Sequence, residues 1–212
     1  MPGRAIGAAA ARREEPMATL VQRVRGGEAT RGTFFNLGSA LVAEVCAPSG
    51  FDWLLVDLEH GAGGEDTLVG QTLAGAAHGV PFVVHVETAE RIRVGHALDL
   101  GALDVKFPRL DGVEAVAALD GVDVLFVGPS DRSVSLGIPG QLESPLFQAL
   151  ARVAGAAAAT GKAAGILTSD PAMTSWYHDH GFAFVAVASD SALLRLAATN
   201  AAQPPSEMRA PT

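Results

Sequence analysis

Asp57, Glu59 and His60 fall within four residues of one another, directly after the apolar run Trp53, Leu54, Leu55, Val56. A short apolar run bounded by turn residues reads as a parallel strand covered on both faces. Charge at the end of such a strand must be hydrated or paired. In α/β folds, ligands bind at the carboxyl ends of the strands. The stretch therefore reads as half of an active site. Asp57 and His60 form its candidate acid/base pair, His60 as general base and Asp57 as its orienting, charge-stabilising partner. The structural alternative is a hydrogen-bonded pair with no chemistry. Glu59 reads as a supporting residue. A second pair, His85 and Glu87, lies in P-F-V-V-H-V-E (81–87), two residues apart and so able to share one side of a strand.

Other reactive side chains have simpler readings. Lys106 interrupts an apolar strand and could form a Schiff base, but a charged end reaching solvent explains it as well. Cys46, the only cysteine, reads as a small core residue, because nothing near it in sequence would lower its pKa. His178 and His180 have metal-ligand spacing for a strand but fall at a helix end, where a dipole contact is the plainer reading. Asp131 follows Gly-Pro after a buried strand, which also suits a loop cap. Asp190, in A-S-D-S, reads as the N-cap region of the last helix.

The elements that must position these residues alternate regularly. Strands are expected at 33–38, 51–57, 81–87, 104–110, 122–128, 162–168 and 182–189. Helices are expected near 20–24, 41–46 (Ser39 as N-cap), 65–77, 89–100, 113–119, 145–160, 171–180 and 191–201. Strict alternation means parallel strands joined by right-handed crossovers. The fold class is α/β, a TIM-type (β/α) barrel shortened to about seven strands; complete barrels have eight units in ~250 residues. Only 111–121 separates strands four and five, near the lower limit of ~10–12 residues for a crossover. A unit is missing there, or the crossover is unusually tight.

The 212 residues are 49% hydrophobic and 18% charged, enough for one full core, with domain bounds expected at 17–202. Residues 1–16 and 203–212 read as disordered tails, the first as a false start upstream of Met17. A net charge of −8 argues against a nucleic-acid partner. No apolar run approaches the ~18 residues of a membrane span. One cysteine excludes an intrachain disulfide and fits a reducing cytoplasm.

Five motifs in order, F-D-W-L-L-V-D-L-E-H-G, A-L-D-L-G-A with F-P-R-L, V-D-V-L-F-V-G-P-S-D with S-L-G-I-P-G, G-K-A-A-G-I-L and G-F-A-F-V-A-V-A-S-D, resemble the HpcH/HpaI aldolase/citrate lyase family. Within it they are most similar to the class II, pyruvate-type aldolases. The resemblance spans about residues 20–200. It implies a (β/α)8 barrel, a trimeric or hexameric homo-oligomer, and a divalent metal (Mg, Mn or Co). It also implies reversible cleavage of 4-hydroxy-2-oxo acids to pyruvate and an aldehyde. It places His60 and Asp57 as the acid/base dyad, Asp131 as a metal ligand, and the amides of Ser130 and Asp131 on the substrate carboxylate.

Two departures stand out. Where the family has an arginine contacting the 2-oxo group, this chain has His85, either a substitute for that charge, an added metal ligand, or a hydrogen-bonded structural histidine. The βα unit that brings the family's second metal carboxylate is absent between strands four and five. Glu87 is the candidate replacement ligand, with a rim salt bridge, for instance to Arg91, as its alternative. Two functional readings follow: a metal-assisted aldolase, or a degenerate barrel retained as a binding or assembly subunit. A third keeps Asp57, His60 and His85 for proton transfer without a metal.

Overall fold

The computed structural model describes residues 19–86, 103–104, 113–120, 122–128 and 144–203. The elements, in order, are α1 (Thr19–Arg25), β1 (Thr30–Phe35), α2 (Ala40–Cys46), β2 (Trp53–Asp57), α3 (Glu65–His78), β3 (Phe82–His85), β4 (Leu103–Asp104), α4 (Val113–Ala117), β5 (Val124–Val127), α5 (Ser144–Ala159), β6 (Ala163–Thr168), α6 (Thr174–Asp179), β7 (Phe182–Ser189) and α7 (Asp190–Ala202). Ser39 caps α2 by accepting from the Val42 amide. No helix among the described residues is long and apolar enough to cross a membrane. The segments 1–16 and 204–212, and the helix expected at 89–100, lie outside the described residues.

The seven strands form one parallel sheet in the order β4-β3-β2-β1-β7-β6-β5. The sheet is strongly curled. Phe34 on β1 and Phe126 on β5 are three strand intervals apart, about 14 Å across a flat sheet at ~4.8 Å per interval. Their ring centroids are 5.9 Å apart. This is the TIM-type architecture, and its sheet ends on β4 and β5. Among the described residues nothing joins those two strands. The gap coincides with the short interval in the sequence, where α4 is only five residues long.

Alternation along the strands sorts the side chains. Trp53 and Leu55 of β2 and Val83 of β3 face inward with Phe34, Phe126 and Phe184. Leu54 and Val56 of β2 and Phe82 and Val84 of β3 face outward onto α2 and α3. Trp53 stacks on Phe184 at 3.7 Å, a contact that requires Gly32, where a Cβ would lie 2.2 Å from the indole ring. Leu20 and Val24 of α1 join this inner layer and close the amino end of the barrel. Arg23–Asp52 and Arg25–Asp123 ion pairs tie α1 to the rim.

β1 begins at Thr30 rather than at Thr33, as expected from sequence. The threonines that obscure its start are buried, and their hydroxyls donate to the carbonyls of Ala183 and Val187 on β7. A polar residue satisfied in this way fits a central strand.

Candidate active site

With residues 53 and 55 facing inward, Asp57 reaches the inner face at the carboxyl end of β2; by the same count from Val83, so does His85 on β3. The two are direct register partners. β2 then breaks into a turn carrying Glu59 and His60. Its shape follows from Asp57, whose Oδ1 accepts from the amides of Glu59 and His60, both at 3.0 Å. A carboxylate bonding its own backbone in this way is a local turn former.

The same oxygen accepts from Nδ1 of His85 at 3.1 Å. The other ring nitrogen, Nε2, lies 3.0 Å from Oε2 of Glu59. His85 is thus held between two carboxylates. His60 is placed differently. Its side chain is 68% exposed, and its Nδ1 lies 3.7 Å from Asp57 Oδ2 and 3.8 Å from Glu59 Oε2, both beyond hydrogen-bond length. The two imidazoles are 6.1 Å apart. The carboxylate paired with His60 by spacing is therefore hydrogen-bonded to His85, with His60 beside it and open to solvent.

Asp57 is 7% exposed. Burial, the largest single influence, pushes its pKa up. The hydrogen bond from His85, the amides of His60 and Glu59 and the charge of His85 together outweigh burial and hold it below the ordinary carboxylate value. The native state then binds the Asp57 proton less readily than the unfolded chain. The resulting stabilisation is full above the unfolded value of about 3.9 and is lost as pH falls through the lowered native pKa. In a melting-temperature series from pH 5 downward, Asp57→Asn removes this part of the slope. An unchanged slope would assign it elsewhere.

The comparisons with known proteins bear on this geometry. A family model, HpcH/HpaI aldolase/citrate lyase, matches residues 109–197. The hydroxypyruvate/pyruvate aldolase of Paraburkholderia phytofirmans is 31% identical, with 81% of this chain and 91% of that protein covered. The chain belongs to the HpcH/HpaI aldolase/citrate lyase family. The 4-hydroxy-2-oxovalerate aldolase of Rhodococcus jostii is 28% identical over 85% of this chain and 93% of its own length. A solved family structure from Burkholderia cenocepacia superposes with a TM-score of 0.81 at 28% identity, covering 91% of this chain and 99% of that one.

The alignments also record the shortened barrel. That with the Paraburkholderia enzyme runs over 236 positions but takes in 81% of 212 residues, about 172, leaving at least about 64 positions to the relative alone.

Of the site expected from sequence, Asp57, His60 and His85 come together. Ser130, Asp131, Glu87 and Lys106 lie outside the described residues. Among the described residues, the one group that could hold a divalent cation is Asp57, His60 and His85, whose ligand atoms lie within 4.8 Å of one another. One carboxylate oxygen and two imidazole nitrogens fit a divalent cation of the Mn-to-Zn series.

Glu59 takes the supporting place expected of it, its Oε2 3.0 Å from His85 Nε2. One support was not legible as such. Asp190, 3% exposed, accepts from the amides of Asn36 and Leu37, fastening the loop after β1 to α7. Ser189 is the N-cap of α7 and Asp190 its first residue, within the N-cap region expected from sequence. The residue before Ser189, Ala188, has φ +56°, a strained left-handed conformation at the same end of the barrel.

Proposed function

We propose that this chain is a carbon–carbon lyase that cleaves or forms 4-hydroxy-2-oxo acids, with pyruvate and an aldehyde as the other side of the reaction. One observation carries the reading: Asp57, His60 and His85 are gathered at the carboxyl end of the inner barrel face, in a chain of the HpcH/HpaI family. In cleavage, the 4-hydroxyl gives up its proton and the C3–C4 bond breaks. Its electron pair moves to C3 as the enolate of pyruvate, C4 leaves as the aldehyde, and C3 is then protonated. His60, the solvent-facing ring, takes the hydroxyl proton, directly or through water. Asp57 holds the charge that develops on the cluster. His85, fixed between Asp57 and Glu59, faces the 2-oxo group. A divalent cation would supply Lewis acidity toward the enolate oxygen. Asp131 and Glu87 are further ligands in this reading, and the amides of Ser130 and Asp131 hold the carboxylate.

Assembly as a trimer or hexamer belongs to the same reading. Leu41 and Val45 on α2 and Leu73 on α3 are 80%, 71% and 65% exposed, an apolar surface that suits burial against another copy. The alternative, a barrel kept as a binding or assembly subunit, draws its support from the missing βα unit.

One assay separates the two. Pyruvate release from 4-hydroxy-2-oxovalerate is followed with Mg, Mn or Co added. Turnover is expected, and His60→Ala lowers it about 100-fold or more without changing the circular dichroism. No turnover with any of the three cations would overturn the lyase reading.

A further inference from the structure

We infer that Asp57, His60 and His85 are themselves the cation site of this chain, a face of two nitrogens and one oxygen selective for a transition-metal dication, with Glu59 orienting His85. The inference rests on the lyase reading for the use of the cation but not for its binding.

The three side chains are gathered to within reach of one coordination shell. Ligands held at about 2.1 Å from one cation, in tetrahedral or octahedral geometry, lie ~3.0–3.4 Å from each other. Asp57 Oδ1 and His85 Nδ1 are 3.1 Å apart, and Asp57 Oδ2 and His60 Nδ1 are 3.7 Å apart. The three ligand atoms lie within 4.8 Å of one another, so closing them on one cation draws in His60, the exposed member of the three on a turn. A cation between the carboxylate and the rings takes the place of the proton that Asp57 and His85 share.

Glu59 completes the arrangement. With Nδ1 of His85 on the metal, Nε2 carries the ring proton beside Glu59 Oε2, which lies 3.0 Å away. A carboxylate on the far nitrogen of a metal-bound imidazole fixes its tautomer and raises its basicity. With neutral rings, Asp57 and Glu59 give the cluster two negative charges, which favours a dication. Selectivity follows from donor type. Mg binds oxygen ligands and water, whereas imidazole suits Co, Ni and Zn. A ring that ligates through one nitrogen carries its proton on the other, so with a cation held His60 would give up the direct role of base and would help, with His85, to hold the Lewis-acid centre. Without a cation, His60 acts directly.

The test uses tag-free, chelator-treated full-length protein titrated with Co2+, read by visible d–d absorption and by calorimetry. One Co2+ per chain is expected, with an absorption pattern that changes in His60→Ala. Glu59→Gln weakens binding about 10–100-fold, and His85→Ala and His60→Ala weaken it more. Mg at a hundredfold excess leaves Co2+ bound. Unchanged affinity in both histidine variants, or displacement by that Mg, overturns the inference; His60, on an exposed turn, can be replaced without disturbing the core. Co2+ held by the cluster without pyruvate release would sink the lyase reading alone. Pyruvate release lost in His60→Ala, with no Co2+ bound by the wild type, would sink the cation site alone.

Discussion

Asparagine in place of Asp57 lowers pyruvate release by about 10³–10⁴-fold, the scale of losing the charge behind a working imidazole, while the barrel stays folded. The separation of the two effects comes from the bonds that Asp57 makes. Its Oδ1 accepts from two amides and from His85, and an asparagine oxygen can accept all three. The turn that carries His60 is therefore kept, and the stability cost stays within about 1–3 kcal/mol. What asparagine cannot supply is the negative charge. It offers an NH2 group where Oδ2 faces His60, so it does not stabilise an imidazolium, and as a neutral ligand it holds a dication more weakly than a carboxylate does. Urea denaturation and steady-state kinetics on one preparation check this. If activity falls only as far as the folded fraction, the role of Asp57 is structural.

The sequence exposed the parts of this site that are local. Trp53–Val56 is apolar because β2 is covered on both faces, and Asp57 stands out because charge follows at once. Regular alternation of elements was enough for the barrel, and the short stretch between strands four and five was enough to locate its break. The partner of Asp57 was not local. His85 is 28 residues away, and only the parallel register of β2 on β3 brings the two side chains level. Counting residues favours the i,i+3 neighbour His60. The fold favours the neighbour across the sheet, with the Leu58 amide donating to the His85 carbonyl to hold that register. Asp190 meets the same limit. Its place at a helix start is legible, and its Oδ1 accepts from the Ser191 amide there, but its bonds to the amides of Asn36 and Leu37, 154 and 153 residues earlier, are not. The start of β1 was hidden by Thr30 and Thr33, whose polarity is cancelled by carbonyls of β7 that no local pattern records.

Alanine at Gly61 is the second large effect expected, and it tests whether the turn as a whole positions the cluster. A Cβ at this position would lie 2.1 Å from the carbonyl oxygen of Asp57 and 3.4 Å from the Cα of Asn36. Both are backbone atoms, so no side-chain rotation relieves the clash. Nor can the turn slide easily. The Ala62 amide donates to the Asn36 carbonyl at 2.7 Å, and Gly63 sits so close to Gly38 that a Cβ there would be 2.7 Å from the Gly38 Cα. Gly61→Ala must therefore push the turn off the β1 loop, stretching the amide bonds from Glu59 and His60 to Asp57. Overpacking of this kind costs about 1–3 kcal/mol. Displacing a catalytic group by an ångström costs about 100-fold in rate, so activity falls further than stability. Gly64→Ala is the matched control, because a Cβ there would meet only the side-chain carboxylate of Asp66, at 3.1 Å, which a rotation can move aside. Thermal melts and kcat for the two variants decide the matter. Equal, small effects would mean that His60 works without the geometry that Asp57 and Gly61 impose on its turn, and the cluster would then owe its chemistry to His85 and Asp57 alone.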